Sequence, residues 1–193
     1  MRIDFTSSQV GAEPIDLDYT KNYCKVDFDV DDAIITQGIA AARGICENYI
    51  GQSVVKKNFV YQFSDFELND LDNGFPVVNL LRGPIQSVTT VKFINSEGEE
   101  ETLTTDDYRV IGLSQKSLLV KKAVTLNSRI GSIIQVEYVA GMTKVPDEIK
   151  DGIAQLVGDM YEHRQNEVLA EAPKVLQLTS MFKWNSYRVN FGI

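Results

Sequence analysis

Histidine is nearly missing from this chain. His163 is the single one in 193 residues, which removes the usual ligands of a histidine-based zinc site and most means of proton transfer near neutral pH. Cysteine is almost as scarce. Cys24 and Cys46 form no CxxC pair and cannot make a disulfide framework, so they read as free thiols packed as small hydrophobes in a reducing compartment. No apolar run approaches the ~18 residues of a membrane-crossing helix, so no membrane partner is expected. Met1-Arg2-Ile3-Asp4-Phe5-Thr6 has no apolar h-region and no small-residue cleavage site, so synthesis in the cytoplasm without a secretory address is the expectation. Basic residues are also in deficit: 19 Lys and Arg against 27 Asp and Glu leave a net charge of −8. A protein that grips nucleic acid needs the opposite balance to neutralise phosphates.

The signatures of common chemistries are missing too. There is no GxxxxGK[ST], no GxGxxG after a strand, no HExxH and no GxSxG. Asp27, Asp29 and Asp31 alternate like the start of a calcium loop, but the sixth position from Asp27 is Asp32 rather than Gly and the twelfth is Gly38 rather than Glu. Asp65, Asp70 and Asp72 precede Gly74 with no bidentate Glu in register, and Glu97, Glu99, Glu100 and Glu101 crowd one hairpin tip. Both groups read as solvated acidic surface, and His163, between Glu162 and Arg164, as an exposed helix-end residue. The expectation is therefore no catalytic residue, no cofactor, no metal and no enzyme.

What is present is an ordinary globular composition, 44% hydrophobic and 24% charged, on a chain long enough to bury about 70% of its unfolded surface. The charge is unevenly spread. Residues 1–107 hold 19 acids and 8 bases, residues 108–193 hold 8 acids and 11 bases, and from Ala172 onward only Lys174, Lys183 and Arg188 are ionised. Such asymmetry suggests a directional assembly surface, or an acidic body with a basic arm.

The hydrophobic period divides the chain. After a loose lead-in of about twelve residues, a short helix is expected over about 15–24, with Ile15, Leu17, Tyr19 and Tyr23 as its apolar contacts. Asp31 and Asp32 stand where an N-cap and a first-turn acid belong, and Ile35, Ile39, Ala42, Ile45 or Cys46, and Tyr49 recur at helical steps before Gly51. That predicts a helix over 32–50. Between about 54 and 140 the period becomes two, with strands expected near 58–63, 77–81, 87–94, 101–103, 108–111, 117–120 and 133–139, and a polar loop at 65–74. Pro146, Asp147 and Glu148 then open a second long helix over 147–164 with a stripe of Ile149, Ile153, Leu156, Val157, Met160 and Tyr161. The fold class is α+β: a small helical core whose two long helices pack together, with an inserted antiparallel β region and an extended C-terminal tail. Ile35, Ile39, Ile45, Ile153, Leu156 and Met160 are the expected helix–helix core.

The tail, residues 172–193 beyond a body of 1–171, is loaded with large apolar groups and interleaved bases. It can fold back on its own core or act as an arm that docks into a partner, and the arm is the favoured reading. Phe182, Lys183, Trp184, Tyr187, Arg188 and Phe191 are the docking candidates, because large aromatics and Arg dominate interface hot spots.

Three stretches together resemble one family. They are Val26-Asp27-Phe28-Asp29-Val30-Asp31-Asp32 continuing to Glu47-Asn48-Tyr49-Ile50-Gly51; Leu81-Arg82-Gly83-Pro84-Ile85-Gln86-Ser87-Val88 with Asp107-Tyr108-Arg109-Val110; and Val136-Glu137-Tyr138-Val139-Ala140-Gly141 running on to Tyr161-Glu162-His163-Arg164. In this order, over about residues 15–165, they resemble the head–tail connector (adaptor, or head-completion) proteins of long-tailed bacteriophages. The resemblance implies a structural protein of the virion neck: a ring of copies, dodecameric by family likeness, beneath the portal protein. It would extend the DNA channel, let double-stranded DNA pass without specific binding, and offer a surface to a stopper or tail-completion protein. Other readings are a stopper or tail terminator, or a small enzyme or ligand-binding domain with its site in the β insertion. Deleting residues 174–193 is expected, on the arm reading, to leave a folded body.

Overall fold

Alternation of apolar and polar residues becomes antiparallel sheet wherever the sequence carries it. The computed structural model describes residues 2–64, 71–72, 75–112, 117–120, 133–162 and 179–189. The chain divides into two compact units, residues 1–11 with 56–142, and residues 12–55 with 143–193. The first is β, the second helical.

The β unit holds strands β1 (Arg2–Gln9), β2 (Lys57–Ser64), β3 (Leu71–Asp72), β4 (Phe75–Asn79), β5 (Ile85–Ile94), β6 (Glu100–Thr102), β7 (Tyr108–Ile111), β8 (Ser117–Val120) and β9 (Ile133–Ala140). Five make a sheet in the order β1-β2-β9-β5-β6 and four make a second in the order β3-β4-β8-β7. Strand β9 shows the period-two rule most plainly, with Ile134, Val136, Tyr138 and Ala140 buried and their neighbours half-buried. Aromatics form a ladder across the first sheet: Phe59 stacks on Tyr138 at 5.3 Å, and Phe5 on Tyr61 at 5.7 Å. The Tyr138 hydroxyl donates to the Leu81 carbonyl at 2.7 Å, satisfying the one polar atom that this ring takes into the core. Val78 and Leu118 of the second sheet join the same apolar cluster.

Two sequence expectations are corrected here. The first residues are not a loose lead-in: Arg2–Gln9 pairs with all of β2, from Arg2 opposite Ser64 to Gln9 opposite Lys57. Its small polar residues concealed a strand because only Phe5, Ile3 and Val10 carry apolar weight. The 65–74 segment contains the short strand Leu71–Asp72, and the rest of it lies outside the described residues.

The helical unit holds α1 (Leu17–Cys24), α2 (Asp32–Ile50), α3 (Asp147–Glu162) and α4 (179–184), followed by a 3-10 turn at Asn185–Tyr187. Asp16 caps α1 by accepting the Tyr19 amide at 2.7 Å, so the helix starts at Leu17. Helix α2 has the expected bounds and stops at Gly51 in the left-handed region, φ 71°. Asp31 occupies its N-cap position without a side-chain cap bond and instead accepts the Tyr161 hydroxyl at 2.7 Å. Lys21 bridges Asp29 and Asp32 at 2.7 and 2.8 Å, which ties α1 to the start of α2, and these carboxylates raise its pKa.

Helices α2 and α3 run antiparallel, with Tyr161 beside Asp31 and a Cβ on Gly38 reaching to 3.3 Å from Val157. Ile35, Ile39, Ile153 and Leu156 are buried as expected, but Ile45 is 38% exposed and Met160 is half-buried. Cys46, one step round the helix from Ile45, takes the core position instead.

Near the end of α2 lies a buried charge network. Arg43 donates to Glu13 at 2.7 Å and to Glu47 at 2.9 Å, while the other Glu47 oxygen accepts the Val54 amide at 2.9 Å. Two of the three segments in which the chain enters or leaves this unit, at Glu13 and at Ser53–Val55, are thereby fastened to α2. Removing the guanidinium leaves the Glu47 carboxylate buried without its cation. Arg43→Ala is expected to cost about 3 kcal/mol, the low end for breaking a buried pair. Urea denaturation reads this, and a loss below about 1 kcal/mol would show that the network is effectively solvated.

Candidate functional site

The terminal segment that drew the docking candidates is built onto α3. Gly152, in the second turn of α3, leaves room for the Trp184 ring: a Cβ there would lie closer than 3.0 Å to the indole. The ring is fully buried, its Nε1 donates to the Ile149 carbonyl at 3.4 Å, and Tyr49 packs beside it with centroids 6.3 Å apart. Around this anchor the segment is stitched down. Lys183 pairs with Asp151 at 2.5 Å, the Tyr187 hydroxyl donates to Glu148 at 3.1 Å, and Gln52 donates to the Tyr187 carbonyl at 2.6 Å. The Val189 amide donates to the Ile50 carbonyl at 2.9 Å, and the Arg188 guanidinium lies 5.5 Å from the Tyr49 ring centroid. Desolvation, then the Glu148 bond, raises the Tyr187 pKa.

The structure therefore separates the six candidates. Trp184 is core, Lys183 and Tyr187 are half-buried in polar contacts with α3, Arg188 is exposed over Tyr49, and Phe182 is 79% exposed. Phe191 lies outside the described residues. Over 179–189 the expectation of an arm lying apart from its own body is corrected: the segment folds back, because Gly152 provides the hole that the indole fills. In the sequence that glycine is one unremarked position inside an amphipathic helix.

A second surface feature was not anticipated. Between α2 and α3 lies a groove of about 230 Å³ lined by Ile34, Gln37, Ala41, Met160 and Tyr161, with Gly38 in its floor. Phe28, Val30 and Ile34, all exposed, lie in or just before the first turn of α2. A signal existed, since Ile34, Ala41 and Ile45 lie at seven- and four-residue steps and form a second stripe beside the core stripe.

Among the described residues no group of three or more His, Cys, Asp or Glu is placed to hold a metal ion, and no helix is long and apolar enough to cross a membrane. Burial, with Glu47 adding, pushes the Cys46 thiol up to about 12, and Cys24 is raised by burial and by Glu162. Both thiols are poor nucleophiles at neutral pH.

No protein-family model matches the chain, and no curated protein matches it. Its fold does match solved structures. A chain of the native gene transfer agent (GTA) virion superposes with a TM-score of 0.72 at 15% identity. Chains from the neck of the empty GTA particle computed with C6 symmetry and of the native particle computed with C12 symmetry give 0.70 and 0.67, both at 14% identity. In all three, 97% of this chain and 97% of the other are covered. The likeness is one of fold, and it accords with the α+β class read from sequence.

Two outcomes follow. Trp184→Ala is expected to cost about 3–5 kcal/mol, as for other buried aromatics, while Phe182→Ala stays within about 0.5 kcal/mol. Paired urea melts check this, and equal effects would show that the indole is not core. Cys46 favours its protonated form in the fold, whereas an unfolded cysteine titrates near ~8.5. Its contribution is complete below that pH and is lost as pH rises toward 12. Stability measured between pH 8 and 11 should fall less steeply in Cys46→Ala than in the parent.

Proposed function

We propose that this chain is a structural protein of the neck of a phage or phage-like virion, a head–tail connector (adaptor) whose copies form a ring under the portal protein. The observation that carries this reading is the fold likeness, over 97% of both chains, to chains of GTA necks whose structures were computed with C6 and C12 symmetry. A role without catalysis accords with the scarcity of histidine and the high pKa values of the thiols.

A ring needs two different faces on each copy, and this chain has an uneven charge that suits a head-to-tail contact. Its excess of acid suits a channel through which double-stranded DNA slides, since like charge gives no counterion-release affinity. The portal protein is the proposed partner on one side and a stopper or tail-completion protein on the other. Of the terminal residues, Phe182 and Arg188 remain exposed, while Trp184 serves the fold.

The test is co-expression with the portal and tail-completion proteins of the same particle, followed by affinity capture and electron microscopy. A ring on the portal is the expected result. Capture on the tail tube alone would make the protein a tail terminator, and a monomer that joins neither would overturn the reading.

A further inference from the structure

We propose that Phe182 of one copy seats in the α2–α3 groove of the next copy, making the repeating contact of the ring. This rests on the ring reading above and adds the two surfaces that would build it. Phe182 is a large side chain left 79% exposed on a helix whose neighbours Ser180 and Trp184 are buried. The groove measures about 230 Å³. An enclosed apolar space of about 150 Å³ already holds benzene, so the groove has room for one phenyl ring. Gly38 and Ala41 keep it open, and Ile34 and Met160 give it apolar walls.

The two features sit at different levels of α3. The terminal segment lies along the first two turns of α3, through Tyr187 to Glu148, Lys183 to Asp151 and Trp184 to Gly152. The groove lies toward the other end of that helix, from Val157 to Met160 and Tyr161. From Gly152 to Tyr161 the helix rises roughly 14 Å. A knob at one end and a socket at the other make a head-to-tail contact, the kind that closes into rings.

Charge selects the same pairing. The approach to the groove, residues 26–34, carries Asp27, Asp29, Asp31 and Asp32 and no base, with Lys21 offsetting two of them. Residues 179–189 carry Lys183 and Arg188 and no acid, with Asp151 offsetting Lys183, so Arg188 is the base left to meet the acidic approach. Knob to groove brings opposite signs together, whereas groove to groove in a two-fold dimer would press acid on acid.

The test uses the full chain with Cys24→Ala as background and Ala41→Cys and Ser186→Cys combined; Ser186 is exposed and four residues beyond Phe182, so the phenyl ring itself is kept. Ala41 is exposed, so its replacement leaves the core intact. Mild oxidation of the assembled protein should give a covalent ladder reaching the full ring on a non-reducing gel. Dimers only, or no product from visible rings, would overturn the contact. Separately, Phe182→Asp and Ala41→Trp should keep the parent melting temperature yet assemble about tenfold or more weakly by mass photometry, as expected for loss of an interface anchor. Rings that form as in the parent would overturn this contact while sparing the ring reading. Portal capture lost with rings intact would assign Phe182 to the portal and also overturn it. A parent that never forms rings would fail the ring reading itself.

Discussion

The seat of Trp184 over Gly152 is the constraint on which the helical unit depends. Helix α3 has only sixteen residues, yet α1, α2 and the terminal segment all lean on it. Close approach is possible because side chains are missing where neighbours come near. Gly152 admits the indole, Gly158 faces Cys24 and Tyr23 of α1, and Gly38 of α2 faces Val157. A methyl group at Gly152 would push out the largest buried side chain, and with it the polar contacts that flank it on both sides. Glycine costs helix stability in isolation, so its presence twice in α3 is repaid by packing.

This arrangement explains why the basic, aromatic end of the chain is neither a free arm nor simple core. One ring anchors it, and polar side chains of α2 and α3 hold the turns on either side. Within residues 179–189 the Phe182 ring and the Arg188 guanidinium are left outward on a segment that these contacts hold in place. A preordered segment avoids the backbone entropy of about 1–2 kcal/mol per residue that an arm would lose on docking.

The buried Arg43 network serves a different need. The chain crosses between its two units at residues 11–12 and 55–56, and buried Ser53, Val54 and Val55 carry backbone polar groups just before the second crossing. Glu47 supplies the acceptor for the Val54 amide, and Arg43 neutralises Glu47 while reaching Glu13. The cost of burying these charges is offset only while all the partners are present.

Residues alone determined the element types, because helix and strand periods are local: the bounds of α2 and the strands β5, β7, β8 and β9 follow from apolar spacing, acids at helix starts and Gly51. The α+β class and the pairing of α2 with α3 followed from two amphipathic stripes that needed each other. Tertiary structure decided the rest. Arg2–Gln9 is a strand because β2 offers it an edge, not because its Thr and Ser residues demand one. Cys46 rather than Ile45 is core because α3 approaches from one side, a direction that adjacent stripe positions cannot reveal. Trp184 is buried and Phe182 exposed because Gly152 is a hole of one shape in one place. Period and propensity act over a few neighbouring residues, whereas a socket is made by residues more than thirty positions from the side chain that fills it.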